Sequence, residues 1–366
     1  MKILKKLKNR LLPATAVLLS LLQPGRVAAQ APADDPATRA AVGEFWLGAD
    51  ISATTHLESR GIHSYTRDGV QTENTLLMKQ LGLNAVRLRV WVDPKGGWSS
   101  KEDVLTMAQR AKQHGMEILI CFHYSDWWAD PGKQNLPAAW VGLDYEGVKQ
   151  ALVQHTVETL QLLKDHDIAV KWVQVGNETT NGMLWPVGHT DNFAQYAGLT
   201  DAGYGAVKSV YPEAIVIVHL DNGFDHAMYC RMFDALKEHG TRWDMIGMSI
   251  YPYWAMEAGR EPDAASTLRH SIENVEQLVA RYGCDVMIVE TGVEAAKPDA
   301  GYAFLSELID AAMRVPDNRC KGVFYWAPES CHGGYALGAF QNDRPTRIMD
   351  AFTEAAARLR TAPAGE

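Results

Sequence analysis

The chain has 366 residues, of which 47% are hydrophobic and 22% are charged. This composition excludes a disordered or fibrous protein and supplies enough apolar side chains for a sizeable core. The formal net charge of −9 at pH 7 disfavours a nucleic-acid-binding function, because an acidic surface repels polyanions. A neutral substrate fits this charge better than an acidic polysaccharide.

Residues 1–29 have the pattern of a cleavable secretory signal peptide. Five basic residues lie among the first ten, residues 11–22 are mainly apolar, and residues 27–29 are small enough for cleavage. A membrane anchor is the alternative, but the apolar run contains Pro13 and is too short to span about 30 Å of hydrocarbon. Export to the periplasm or the cell exterior is expected, with no membrane span after cleavage.

Residues 30–41 resemble a flexible lead-in. Cleavage after residue 29 removes six basic residues and no acidic ones, which takes the net charge from −9 to −15. The more acidic mature chain strengthens the expectation of a neutral substrate and of no nucleic-acid partner.

The five cysteines would face an oxidising compartment, where at most two disulfides can form. Cys121 lies inside an apolar run and is expected in the core. Cys320 and Cys331 flank a predicted strand and are expected to lie too far apart to bridge. A bridge between Cys230 and Cys284 stays open, and no Cys/His spacing indicates a zinc site.

Eight short apolar runs recur along the chain, and longer amphipathic segments lie between them. The short runs predict β-strands and the amphipathic segments predict helices, several of which end in glycine. The predicted strands are residues 44–51, 84–91, 116–124, 170–178, 214–220, 243–251, 285–290 and 322–328.

Strands that alternate with helices predict a parallel sheet with crossover connections. Closed on itself, this pattern forms a single (β/α)8 TIM barrel, expected over residues 42–360, with its active site at the carboxyl ends of the strands. An open doubly wound sheet is the alternative, but it normally carries a glycine-rich phosphate loop after its first strand. The first predicted strand instead continues as GADISATTH (48–56), without GxGxxG.

Two predicted strands end on a glutamate directly after an apolar run, Glu178 on the fourth and Glu290 on the seventh. Either one could form a structural ion pair with Arg87 or Arg89 of the second strand. Two neighbouring carboxyls are costly to bury, because each charge raises the pKa of the other. Glycoside cleavage uses this arrangement, with one acid that protonates the leaving oxygen and one carboxylate that attacks or assists.

Further polar residues lie at the strand ends. Arg89 is expected either to hold the nucleophile ionised or to form a structural ion pair. Asn177 and Glu178 are neighbours, so strict alternation points them to opposite faces unless the strand twists or bulges there. His123 ends the third strand, where it is expected to hydrogen-bond substrate or a carboxylate, and Asp126 follows it as a further substrate-binding candidate.

Tryptophans cluster at the predicted strand ends. The chain has 11 of them, and an aromatic ring can pack against the C–H face of a sugar. Trp91 and Trp326 are the candidates for substrate contact, although core packing is the alternative for any single ring. Trp46 and Trp172 lie within predicted strands and are expected in the core.

Long motifs at the strand ends carry a family resemblance. They are GADIS (48–52), VRLRVWVDP (86–94), FHYSDWWADPGKQ (122–134), VQVGNETTNGMLWP (173–186), SIYPYW (249–254), VET (289–291) and VFYWAP (323–328). With these motifs the chain resembles the arabinogalactan endo-β-1,4-galactanases of glycoside hydrolase family 53, in clan A of the retaining barrel hydrolases. The resemblance extends over residues 48–352.

The resemblance implies that Glu178 is the general acid/base and Glu290 the nucleophile, with net retention through a covalent galactosyl-enzyme. It also implies that Asn177 contacts the sugar 2-hydroxyl, that Tyr251 hydrogen-bonds the nucleophile, and that Trp326 forms a platform for the sugar. The residues that it assigns to the electrostatic setting are Arg89 and His123.

The sequence departs from the family pattern in two places. Relatives usually have YWEP at the eighth strand, where this chain has YWAP (325–328), and GVE (292–294) replaces an aromatic-Pro pair. These changes affect loops around distal subsites and leave the product length open. Calcium, which some relatives bind, is not predicted because the late loops look short and lack Asp-rich spacing.

A catalytic metal bound by His123 and His219 is an alternative, but the first strand lacks the His-x-His that such hydrolases carry. The prediction is therefore an enzyme without metal or cofactor. It would cleave β-1,4-galactan or galacto-oligosaccharides as a secreted or periplasmic monomer. Another clan A activity, such as a mannanase or an arabinosidase, and a sugar-binding barrel without catalysis are the alternatives.

Overall fold

The structure, a computed structural model, describes residues 45–361. The predicted signal peptide, the lead-in and the first three residues of the predicted barrel domain lie outside the described residues. Eight parallel strands form a closed barrel, in which the last strand pairs with the first. The strands are β1 (Trp46–Asp50), β2 (Ala85–Val90), β3 (Glu117–Phe122), β4 (Trp172–Val175), β5 (Ile215–Leu220), β6 (Met245–Ile250), β7 (Asp285–Thr291) and β8 (Cys320–Trp326).

Helices connect the strands around the outside of the barrel. They are α1 (Thr54–Ser59), α2 (Asn74–Gln80), α3 (Lys101–Gln113), α4 (Tyr145–Asp165), α5 (Phe193–Val210), α6 (His226–Glu238), α7 (Pro252–Glu257), α8 (Ala264–Tyr282), α9 (Pro298–Met313) and α10 (Asp350–Thr361). Side-chain caps fix several of their starts, as at α8, where Asp263 accepts the Ser266 N–H at 2.7 Å. α8 ends at Gly283, which has φ 69°.

Short elements lie in the loops at the strand ends. One antiparallel ladder pairs Gly182–Met183 with Gly188–His189, and a second pairs Phe340–Gln341 with Arg344–Pro345. Single turns of 3-10 helix occur at Ala138–Trp140, Thr179–Asn181, Thr190–Asn192, Pro316–Asn318 and Arg347–Met349. Within residues 45–361, no helix has both the length and the apolar character needed to cross a membrane.

The predicted (β/α)8 barrel is confirmed, and each predicted strand corresponds to one barrel strand. The largest difference in bounds is at β4, which was predicted over residues 170–178 and spans only Trp172–Val175. Gly176 has φ 88° and Glu178 has φ 45°, so the backbone leaves the extended region before the predicted end.

The amino-terminal half of the barrel interior is packed with large apolar side chains, as a closed barrel of this size requires. The ring centroid of Trp46 lies 5.1 Å from that of Trp172, which in turn contacts Phe324 at 6.3 Å. A Cβ at Gly48 would lie 2.3 Å from the Phe324 ring, so only glycine fits there. Trp46 and Trp172 are therefore core residues, as predicted.

The cysteines form no disulfide. All five are free, so Cys230 and Cys284, whose pairing the sequence left open, are not bridged. Cys121 is fully buried in the barrel interior, as expected.

Candidate active site

A cavity of about 440 Å³ opens where the barrel strands end. Six of the nine predicted site residues line it: His123, Asn177, Glu178, Tyr251, Glu290 and Trp326. The three that do not line it are Arg89, Trp91 and Asp126.

The turn after β4 brings two neighbouring side chains into this cavity. Glu178 has φ 45° and ψ 55°, a left-handed conformation that is uncommon for a residue other than glycine. The preceding Gly176 has φ 88°, and a Cβ there would lie 2.5 Å from Thr179 Cγ2. The left-handed turn replaces strict alternation, so Asn177 and Glu178 both line the cavity. Strained backbone of this kind concentrates at functional sites.

A chain of hydrogen bonds positions the Glu178 carboxyl. Ser249 Oγ donates to Glu178 Oε1 at 2.6 Å, and Ser249 Oγ lies 2.9 Å from His219 Nε2. The Glu178 backbone N–H donates to His219 Nδ1 at 3.3 Å. Asn177 Oδ1 lies 3.2 Å from the same Nδ1 atom, so the ring contacts both Asn177 and Ser249. Burial and the nearby Arg87 lower the pKa of His219 well below its usual value, which keeps the ring neutral.

Charged and polar groups surround Glu290 in a different way. Arg87 Nη2 lies 2.8 Å from Glu290 Oε1, and the Tyr251 hydroxyl donates to Oε2 at 2.9 Å. The same guanidinium contacts Asp50 Oδ2 at 2.7 Å and Asn177 Oδ1 at 2.7 Å. The expected hydrogen bond between Tyr251 and Glu290 is present, and Glu290 has a fully buried cation beside it.

The arginine that contacts Glu290 is Arg87, and the expectation that Arg89 would do so is wrong. Arg89 donates to Ser99 Oγ at 3.2 Å, and its guanidinium lies 4.5 Å from the Trp91 ring centroid and 4.0 Å from that of Trp128. Arg87 lies two residues deeper in β2, and the long side chain reaches the carboxylate from below. Arg89 instead stacks between aromatic rings at the rim, a contact that suits a planar guanidinium.

The two carboxyls differ in the groups that oppose their burial. The pKa of Glu178 is raised well above its usual value, chiefly by burial and then by the charges of Glu290 and Asp221. Burial raises the pKa of Glu290 too, but the Arg87 cation and the Tyr251 hydrogen bond act against that rise. The arrangement favours a proton on Glu178 and a negative charge on Glu290.

His123 lines the cavity, but its Nε2 atom is buried. Its Nδ1 accepts the Ala129 N–H at 3.2 Å, which leaves the proton of the neutral ring on Nε2. Within residues 45–361, Nε2 has no protein partner. Burial and the nearby Arg89 lower the pKa of His123 well below its usual value.

Two predicted substrate contacts have a supporting position instead. Both carboxylate oxygens of Asp126 accept backbone N–H groups, from Asp93 at 3.0 Å and from Ala138 at 2.8 Å. Asp126 thereby joins the loops after β2 and β3. Trp91 is only 3% exposed and packs beneath Arg89 and against Trp127 at 4.9 Å. Neither residue is among those that line the cavity.

Other cavity residues were not among the predicted site residues. Trp128 and Tyr335 both pack against Trp326, with ring centroids 5.5 Å and 4.8 Å from that of Trp326. Trp128 and Trp254 carried a signal in the sequence, since both lie just beyond predicted strand ends. Tyr335 lies in an irregular loop well after β8, where no pattern indicates that it returns to the cavity. The remaining ones are Ala129, Asp130, Pro131, Lys133, Asp221, Asn222 and Ser249.

A closed parallel barrel with a pair of glutamates in a tryptophan-lined cavity at its carboxyl end is the architecture of a barrel glycoside hydrolase. The family model described as Glycosyl hydrolase family 53 matches residues 46–303. The chain belongs to this family.

Individual relatives agree with the family match. A protein of Niallia circulans described as an uncharacterized protein in the bgaB 5' region is 35% identical over 316 residues, covering 78% of this chain and 83% of that protein. A probable arabinogalactan endo-β-1,4-galactanase A of Aspergillus terreus is 32% identical over 305 residues, covering 77% of this chain and 85% of that protein. A fungal β-1,4-galactanase structure superposes with a TM-score of 0.77 at 26% identity, covering 84% of this chain and 99% of that one.

Proposed function

We propose that the protein is an endo-acting, retaining β-1,4-galactanase in which Glu178 is the general acid/base and Glu290 the nucleophile. The observation that carries the proposal is the unequal setting of two carboxyls in one cavity. Arg87 and Tyr251 contact Glu290, whereas neutral Ser249 contacts Glu178. The substrate class follows from the galactanase descriptions of relatives such as the Aspergillus terreus protein.

In the first step, a Glu290 carboxylate oxygen attacks the anomeric carbon while Glu178 transfers its proton to the leaving glycosidic oxygen. The glycosidic C–O bond breaks, and a covalent galactosyl ester forms on Glu290. Arg87 and Tyr251 orient the attacking carboxylate and keep it ionised. Ser249 orients the acid.

In the second step, Glu178 takes a proton from water, and the water oxygen attacks the same carbon and displaces Glu290. Two inversions give net retention. Esterification removes the charge of Glu290, which is one cause of the raised pKa of Glu178. The pKa of Glu178 therefore falls when it must act as a base.

The cavity offers suitable contacts for a neutral sugar chain. Trp326 and Trp128 present aromatic faces near the carboxyl pair, and Trp254, which is 52% exposed, extends the apolar surface along the cavity. Asn177 Oδ1 already accepts from Arg87, so its second Nδ2 hydrogen is the group for the sugar 2-hydroxyl.

The test is hydrolysis of linear β-1,4-galactan by the purified enzyme, with the anomeric configuration of new reducing ends followed by NMR. The expected products are internal-cleavage fragments released first as the β-anomer. Activity on β-mannan or arabinan, without activity on galactan, would favour another clan A specificity. Equal turnover by wild type and Glu178→Gln would favour a sugar-binding barrel.

We also propose export and a monomeric state. The signal-like pattern of residues 1–29 supports export, and intact mass measurement of the protein from the periplasm or medium should show a chain starting near residue 30. Size-exclusion chromatography with light scattering should give a monomer mass. A chain that retains residues 1–29, or an enzyme that elutes as a dimer, would refute the respective proposal.

A further inference from the structure

The loop after β8 brings three metal-ligating side chains together outside the cavity lining. Cys331, His332 and Asp343 each offer one ligand atom, and these atoms lie within 4.8 Å of one another. Cys331 Sγ is 3.4 Å and His332 Nε2 is 2.5 Å from the same oxygen, Asp343 Oδ1. We propose that these residues form a binding site for zinc, separate from the carboxyl pair and not required by the proposed hydrolysis.

The donor set suits zinc. A thiolate, an imidazole and a carboxylate are all zinc ligands, whereas calcium and magnesium require mainly oxygen ligands. Tetrahedral zinc places its ligand atoms about 3.3–3.6 Å apart. The Cys331–Asp343 separation already meets this value, and His332 must withdraw by about 0.8 Å from its hydrogen bond. The His332 side chain is 38% exposed and has room to do so.

Asp343 is held in place without help from the other two ligands. It lies with Asn342 in the turn between Phe340–Gln341 and Arg344–Pro345, and both turn residues have positive φ, as tight hairpin turns require. The Asp343 carbonyl also accepts the Tyr65 N–H at 2.9 Å. The backbone of Asp343 is therefore fixed, and Cys331 and His332 can close on its carboxylate.

Metal binding would restrain a loop that reaches the cavity. Gly333 and Gly334, both with positive φ, follow His332, and then comes Tyr335, which packs on Trp326 and lines the cavity. Zinc would fasten the start of this loop to the hairpin and narrow the range of positions open to Tyr335. A fourth coordination position would remain for water or an external ligand.

The thiol must lose its proton when metal binds. Binding therefore releases one proton from Cys331 to solvent, and affinity should rise with pH. No Cys/His spacing indicates this group in the sequence, because Asp343 lies 11 residues beyond His332 on a separate hairpin.

The experiment is metal titration of the purified, chelator-stripped full chain, with Co²⁺ as the spectroscopic probe and Zn²⁺ as the competitor. One equivalent of Co²⁺ should bind with a thiolate-to-cobalt charge-transfer band that Zn²⁺ abolishes. Cys331→Ser should remove the band, and Asp343→Asn should weaken Zn²⁺ binding at least about tenfold. Circular dichroism checks that each variant is folded.

Cys230→Ser is the matched control. Cys230 Sγ also lies 3.2 Å from an imidazole nitrogen, His226 Nε2, but this pair is not part of the three-ligand group. The control should bind both metals as the wild type does. The proposal is overturned by a band that survives in Cys331→Ser, by a band that is lost only in Cys230→Ser, or by wild-type binding no stronger than that of Cys331→Ser.

Discussion

Arg87 bridges two buried carboxylates, with Nη2 2.8 Å from Glu290 Oε1 and Nη1 2.7 Å from Asp50 Oδ2. Its desolvation is offset by these two charges and by hydrogen bonds to Gln174 and Asn177. Within residues 45–361 no ion pair joins Glu178 to a cation, and burial raises its pKa well above the usual value. A single arginine therefore makes the two carboxyls chemically different, which is what a retaining reaction needs.

Exchange of the two barrel arginines for lysine should separate their roles. Arg87→Lys keeps the charge but cannot serve all four partners, so kcat should fall by on the order of 10²-fold. Weaker stabilisation of ionised Glu290 raises its pKa, and the acidic limb of the kcat/KM profile should move to higher pH. Arg89→Lys is the matched control with a smaller loss. Steady-state kinetics across pH would contradict this assignment if Arg89→Lys were the more damaging change.

Azide rescue should distinguish the two glutamates. Glu178→Ala should lower galactan cleavage by about 10²–10⁴-fold but spare the first step on an aryl β-galactoside whose leaving group needs no proton. Azide should then release β-galactosyl azide. Glu290→Ala cannot form the ester, and azide should give the α-azide instead. Product configuration by NMR is the measurement, and the opposite pairing of anomers would reverse the assignments.

Removal of the Ser249 hydroxyl should change the pH profile. The Ser249 hydrogen bond lowers the pKa of Glu178 by favouring its ionised form. Without that bond the pKa of Glu178 rises, and Glu178 stays protonated to higher pH. The basic limb of the kcat/KM profile should therefore move to higher pH in Ser249→Ala. kcat should also fall, since Glu178 loses its 2.6 Å positioning contact. Ser249→Thr, which restores a hydroxyl, should recover the wild-type limb; an unmoved limb in Ser249→Ala would show that the contact has no role.

Glu329 should make stability depend on pH. It is 4% exposed, and both carboxylate oxygens lack a hydrogen-bond partner within residues 45–361. Burial raises its pKa to about 8. The folded state then binds the Glu329 proton more tightly than the unfolded state does. The contribution of protonated Glu329 to the free energy of unfolding is therefore complete below about pH 4.3, and it is lost as the pH rises through about 8.

Glu329→Gln tests this dependence. The variant should melt higher than the wild type above pH 8, by an amount that corresponds to on the order of a few kcal/mol, and should approach it near pH 4. Thermal melting across that range is the measurement. Glu213→Gln, at an exposed position, is the control and should change nothing. A constant difference between Glu329→Gln and wild type at every pH would rule out titration of Glu329.

The barrel and its pair of glutamates could be predicted from the sequence because both follow from local sequence patterns. Strand–helix alternation requires only the order of apolar runs along the chain, and every strand of a parallel barrel ends at the same face. Glu178 and Glu290 each follow an apolar run, so their convergence in one cavity follows from the fold. The motif resemblance then implied the roles of Tyr251 and Trp326, and the structure places both in that cavity.

Only the tertiary structure decided which side chains meet. Arg87 rather than Arg89 contacts Glu290, because contact depends on the depth of each residue in the barrel and on the reach of its side chain across strands. The left-handed turn at Glu178, the hydrogen bonds through Ser249 and the return of Tyr335 likewise arise from contacts between distant segments. Sequence periodicity determines which face a strand residue occupies, but cross-barrel distances are set only when the strands close.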